Sequence, residues 1–138
     1  MRRADPACEQ DVVLLLREVP VAPREVADLV RRRAVLVLSD VTLSPSAPPV
    51  AAAAFRFDRR TKTAQLAGLA VTAPLRRKGL GRRLLTGALM LLRAEGFERV
   101  RARAVPGGAT ASLLASAGFA DDGDTARAGG RGRFLLVL

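Results

Sequence analysis

The chain has 138 residues, 49% of them apolar, with 23 Lys and Arg against 13 Asp and Glu and a formal charge of +10. That length suits one domain, residues 1–138, with a hydrophobic core of its own. Tyr, Trp and His are absent and Cys8 is the single cysteine. An internal disulfide and imidazole chemistry are thereby excluded, no metal-ligand pairs are present, and proton transfer falls to carboxylates, Ser/Thr, Cys8, backbone or water. No His is available to activate Cys8, so it reads as a small core or surface thiol. Residues 1–6 lack the apolar core of a signal peptide and no run is long enough to span a membrane. A reduced, cytoplasmic protein is the expectation.

In chain order, residues 2–5 allow a short edge strand. Val12, Val13, Leu15, Leu16 and Val19 predict a first helix over residues 9–19, stopped by Pro20 and Pro23. Pro23 and Glu25 open a second helix with the stripe Val26, Leu29 and Val30, and Arg31, Arg32 and Arg33 sit at its C-terminal end. Residues 34–40 form a β-rich run and residues 44–49 a loop. Residues 50–57 and 63–71 make a hairpin across the polar turn 58–62, and Gly68 marks a bulge or a close approach by a ligand. After the helix discussed below, Gly96 caps its end and residues 98–105 alternate as a strand whose exposed face carries Arg99, Arg101 and Arg103. A short helix over residues 109–117, a polar glycine-rich loop over 121–132 and an apolar strand over 134–138 complete the chain. No repeat or linker divides it.

The informative stretch is residues 69–92. An apolar strand ends at Val71, a loop rich in charge (Arg76, Arg77, Lys78) and punctuated by Gly79 and Gly81 follows, and a helix begins. Leu80, Leu84, Leu85, Ala88, Leu91 and Leu92 share one helical face. Strand, glycine loop and helix start together present unpaired backbone N–H groups, a positive dipole end and guanidinium groups to an anion such as a pyrophosphate. Residues 75–104 hold nine basic and two acidic side chains. A GC-rich coding sequence accounts for part of the Arg excess but not for this clustering, which would attract a polyanion. The loop lacks the Lys-Ser/Thr ending of a P-loop and the three spaced glycines of a Rossmann turn.

Arg76-Arg77-Lys78-Gly79-Leu80-Gly81 resembles the Gln/Arg-x-x-Gly-x-Gly/Ala signature of the GNAT superfamily of N-acetyltransferases. The preceding strand end, Pro74, the helix, strand and short helix that follow, and Ala117-Gly118-Phe119 extend the resemblance over residues 63–119. It implies an α/β (α+β) single-domain fold: a mixed, mostly antiparallel sheet of about six or seven strands with splayed central strands, flanked by about four helices. It implies acetyl-coenzyme A as acyl donor and an amine acceptor, a small molecule or a protein amine. In that reading backbone N–H groups from Arg76, Arg77, Lys78, Gly79, Leu80, Gly81 and Arg82 hold the pyrophosphate. Leu69, Ala70 and Val71 border the pantetheine arm, and an N–H there polarises the thioester carbonyl. Arg77, Lys78, Arg82 or Arg83 would reach the ribose phosphate. The strands over 63–71 and 99–105 would part to admit the donor. A homodimer is left open.

Several positions depart from the family pattern. The position of its usual acid, a Tyr, is Leu114, with Ser112 and Ser116 as substitutes acting through water or as ordinary helix polar groups. No carboxylate lies on the strand over 63–71, where Gln65 is the only amide, so a base would come from Glu18, Glu25, Asp28, Asp40 or Asp58. Gly107 and Gly108 stand where the family often has Asn, and Pro74 comes one place late. A thiol of ordinary pKa about 8.5 leaves tolerably without a strong acid, so slower turnover is the expected cost. Two other readings remain: an acyl-coenzyme A-binding module without turnover, and a basic nucleic-acid binder, disfavoured because five Phe with no Tyr or Trp offer few stacking platforms.

Overall fold

A computed structural model describes residues 1–17, 19, 21–39, 49–72, 79–104, 108–121 and 132–138. Its strands are β1 (Arg2–Arg3), β2 (Val35–Ser39), β3 (Pro49–Asp58), β4 (Thr63–Val71), β5 (Arg99–Ala104), β6 (Ala120–Asp121) and β7 (Gly132–Val137). Its helices are α1 (Glu9–Leu15), α2 (Pro23–Arg31), α3 (Leu80–Ala94) and α4 (Ala109–Ser116), with a 3₁₀ turn at Pro6–Cys8. The strands form one seven-stranded sheet in the order β1-β2-β3-β4-β5-β7-β6. Every pairing is antiparallel except β4 with β5. A parallel pair needs a crossover, and α3 supplies it.

Alternation along the strands divides the core in two. On one face Leu36, Ala51, Ala53, Phe55, Leu66, Val100 and Ala102 meet Leu84, Leu85, Ala88, Leu89 and Leu92 of α3 and Leu114 of α4. On the other, Val35, Val37, Ala52 and Ala54 meet Val12 of α1 and Val26, Leu29 and Val30 of α2. Each fully buried Leu or Val contributes about 1.5–3 kcal/mol. The run of alanines over residues 51–54 is what lets helices approach both faces of β3. The end of α3 is closed by Phe97 N–H donating to Leu92 O (3.0 Å) and Gly96 N–H to Arg93 O (3.1 Å), and Phe97 is buried.

Several boundaries differ from the sequence-based expectation. The first helix ends at Leu15, not at Val19; the chain tightens, with Val19 N–H donating to Leu16 O (3.1 Å). Leu16 remains fully buried, so its apolar signal belongs to the core and not to helix continuation. Pro49, expected in a loop, opens β3 opposite Ser39; the first position of a strand tolerates its missing N–H. Asp121 and Gly132, also expected in a loop, are the end of β6 and the start of β7, paired to Phe134 and Ala104. The bulge expected at Gly68 is present: Ala54 faces Gly68 and Phe55 faces Leu66, leaving Ala67 extra. The close approach there comes from the chain itself, because a Cβ on Gly68 would sit 2.7 Å from Val19 Cγ2. Most of the loops expected at 44–49 and 121–132, with Glu18, Pro20, Asp40, Pro74, Val105 and Gly107, lie outside the described residues.

Candidate active site

The sheet opens between its two parallel strands. β4 and β5 pair only over Thr63–Leu66 and Arg99–Ala102. Each continues beyond that point on its other partner: β4 stays on β3 as far as Val71, and β5 stays on β7 as far as Ala104. The two strands therefore diverge toward their C-terminal ends. Thr72 N–H donates to Val50 O (2.8 Å). The antiparallel alternation then turns the backbone of Ala70 and Gly68 toward β3 and that of Leu69 into the opening. Leu69, Ala70 and Val71 are half-buried along its edge. Extended backbone beside a missing neighbour strand is a template for an amide-bearing ligand.

The N-terminus of α3 adjoins the end of β4. A Cβ on Gly81 would lie 3.6 Å from Val71 Cγ2 and 3.5 Å from Leu113 Cδ2 of α4, so strand end, helix start and α4 meet at this residue. Gly79 occupies the N-cap with φ +78°, a left-handed conformation that suits glycine, and no side chain caps the helix. The first helical bond at this end is Arg83 N–H to Gly79 O (3.0 Å), so the N–H groups of Leu80, Gly81 and Arg82 precede the intrahelical ladder. The first turn holds no acid. Arg82 and Arg83 are exposed there instead, a placement the helix dipole opposes and an anion would reverse. Arg76, Arg77 and Lys78 lie outside the described residues.

The candidates for proton transfer are scattered. Leu114 is fully buried beneath α4. Ser116 is exposed and its Oγ donates to Leu113 O (2.7 Å), tying it to its own helix; Ser112 is exposed on the same side of α4. Glu25 accepts from Arg56 Nε and from Arg56 Nη2 (3.1 Å). That hydrogen bond holds its carboxyl below the usual range and suits structure better than base chemistry. Asp28 pairs with Arg32 (3.0 Å). Asp58 accepts from the N–H groups of Thr61 (3.3 Å) and Arg60 (3.1 Å), which also lower its pKa. Asp58 faces Thr63, at the end of β4 remote from the opening.

The model of the Acetyltransferase (GNAT) family matches residues 24–119, well over half of the chain. The chain belongs to the GNAT family. No curated protein matches it. Among solved structures, a ribosomal-protein-alanine N-acetyltransferase from Brucella melitensis superposes with a TM-score of 0.75 at 19% identity, over 99% of this chain and 98% of that one. An IAA acetyltransferase from Bacillus cereus superposes with a TM-score of 0.72 at 18% identity, over 91% of each chain. N-acetylglutamate synthase from Neisseria gonorrhoeae, solved with coenzyme A and N-acetyl-glutamate, gives a TM-score of 0.79 at 18% identity. It matches over 99% of this chain, which spans about a third (34%) of that one.

Proposed function

We propose that residues 1–138 form one N-acetyltransferase domain that moves an acetyl group from acetyl-coenzyme A to a primary amine by direct attack within a ternary complex. The observation that carries this reading is the meeting, at the end of β4, of a sheet opening and an acid-free helix start. Acetyl-coenzyme A supplies the activated acyl group. The N–H groups of Gly79, Leu80, Gly81 and Arg82, with the preceding Arg76, Arg77 and Lys78, bind its pyrophosphate. The backbone of Leu69, Ala70 and Val71 aligns its amide arm. Leu69, whose backbone turns into the opening, orients the thioester carbonyl.

The amine nitrogen forms the new C–N bond as the C–S bond breaks. The amine proton passes to water, and the departing thiolate takes a proton from solvent. No carboxylate among the described residues is assigned that proton. A cytoplasmic location is part of this reading; none of the described helices is long and apolar enough to cross a membrane.

A second reading, an acyl-coenzyme A-binding module without turnover, is favoured by one observation: Leu114 occupies the usual acid position and is packed in the core. Nucleic-acid binding has less support, since every phenylalanine is buried or half-buried. Calorimetric titration with acetyl-coenzyme A, followed by thiol release across an amine panel, separates these readings. Binding at micromolar to millimolar levels, on the order of a typical KM, with release on at least one amine is expected. Binding without release across the panel selects the second reading, and absence of binding overturns both.

A further inference from the structure

On the sheet face covered by α1 and α2, the helices reach only as far as β4. Their core partners are Val35, Val37, Ala52, Ala54, Ala67 and Ala70, from β2, β3 and β4. β5 and β7 carry a different set on this face. Val100, Ala102 and Ala104 point into the α3 core, so Arg99, Arg101 and Arg103 point the other way and are exposed. The β5–β7 register sets Arg133 directly opposite Arg103. In such a pair the Cβ atoms lie about 4.5–5.5 Å apart, and like charges destabilise the sheet. No ion-pair partner accompanies Arg101, Arg103 or Arg133 among the described residues, although five other basic side chains have one.

One row across this face shows the contrast. Arg56, Gln65 and Arg101 are lateral neighbours on β3, β4 and β5. The guanidinium of Arg56 is taken by Glu25 of α2, whereas that of Arg101 has no carboxylate partner among the described residues. Gln65, Arg101, Ala102, Arg103, Arg133 and Phe134 line a recess of about 140 Å³. A small carboxylate fits a recess of that size, and planar guanidinium groups suit a carboxylate's two oxygens. Arg103 is the first residue of β5 beyond the paired segment, so the recess abuts the opening on the face opposite α3. The α1–α2 connection stands across from it, with Val19 and Val21 over Gly68.

We propose that this recess is an acceptor subsite for a carboxylate, and that the chain acetylates an amine borne by an acidic, amino-acid-sized molecule. Arg103 and Arg133 clamp the carboxylate, Arg101 adds charge at the floor and the Gln65 amide donates one hydrogen bond. An anion between Arg103 and Arg133 offsets the like-charge repulsion expected of that cross-strand pair. The assignment of an acceptor rests on the acetyltransferase reading; the anion subsite does not.

Two measurements on the full chain keep them apart. The first is binding of glutarate, a dicarboxylate with no amine, by NMR or calorimetry, to the wild type, Arg103→Gln, Arg133→Gln and Arg99→Gln. The last changes the same strand face beside Thr63, away from the opening. The second is coenzyme A thiol release with the matched acceptors glutamate and glutamine, and aspartate and asparagine. Glutarate should bind the wild type and Arg99→Gln alike and weaken roughly tenfold to a hundredfold in the other two variants. The acidic acceptor of a pair should be preferred at least about tenfold in kcat/KM, and the preference should vanish in Arg133→Gln while acetyl-coenzyme A affinity is unchanged. Glutarate binding that depends on Arg133, without thiol release on any of these four acceptors but with release on another amine, retains the anion subsite and overturns its assignment to the acceptor. Without release on any amine of the wider panel, it removes the turnover reading as well. Equal use of acidic and neutral acceptors, no glutarate binding, or an oligonucleotide that binds through Arg103 and Arg133 where glutarate does not, overturns the subsite.

Discussion

Helices α2 and α3 begin in opposite ways. α2 starts on Pro23 with Glu25 in its first turn, and Glu25 is locked to Arg56 of β3. The positive end of that helix is satisfied from within the chain. α3 starts on a left-handed glycine with no acid in its first turn and carries Arg82 and Arg83 there. The first arrangement stabilises the fold. The second has no acid in its own first turn to answer the positive potential beside an opening in the sheet, an arrangement an anion would favour. On the proposed reading, the difference separates a helix start that builds structure from one that receives the donor's pyrophosphate.

The largest expected effect comes from making α3 resemble α2. Gly81→Asp puts a carboxylate in the first turn, where a Cβ meets only ordinary contacts at 3.5 and 3.6 Å, so the fold should persist. Acetyl-coenzyme A affinity should fall about a hundredfold in a calorimetric titration, with the melting temperature nearly unchanged and Gly81→Ala close to wild type. Unchanged affinity in Gly81→Asp would erase the contrast between the two helices.

A smaller effect is expected at Gly79, where φ is +78° and nothing lies within 4 Å of a Cβ. Gly79→Ala meets no steric obstacle but pays the left-handed penalty of about 1–2 kcal/mol, which should lower the urea midpoint with no change in the denaturant slope.

The smallest concerns α2. Glu25 and Arg56 are each more than a third exposed at their side chains (34% and 40%), so Glu25→Gln should cost less than about 1 kcal/mol at neutral pH. The hydrogen bond from Arg56 holds the Glu25 pKa below its ordinary value. Its contribution is therefore fully present above about pH 4.3 and is lost as pH falls through the lowered folded value. Urea titrations of wild type and Glu25→Gln should converge in that acid range, while acetyl-coenzyme A binding stays equal. A drop in binding would mean that the α2 start also serves the ligand.

Legibility followed the range over which each signal acts. The stripe Val26, Leu29 and Val30, the hairpin over residues 50–71 and the Leu-rich face of α3 were readable because periodicity is internal to a segment. The end of α1 was not, because Leu16 and Val19 keep an apolar signal for reasons of burial after the helix has stopped. Strand β6 and the first residue of β7 lie beside polar, glycine-rich sequence, and their pairing is decided by Leu135, Phe134 and Ala104 elsewhere in the chain. Gln65 stood out as the only amide on its strand. Arg133 did not, its only signal being the alternation with Phe134 after Gly132.

The sequence by itself determined the order of elements, the glycine and arginine content of the donor loop and family membership, all carried by neighbouring residues. Only the tertiary structure decided where β4 and β5 part company, that Val19 occupies the space above Gly68, that Leu114 points into the core, and that Arg103 and Arg133 face each other. Those outcomes depend on register between segments far apart in the chain, and register is set by how two faces of a sheet bury their side chains together.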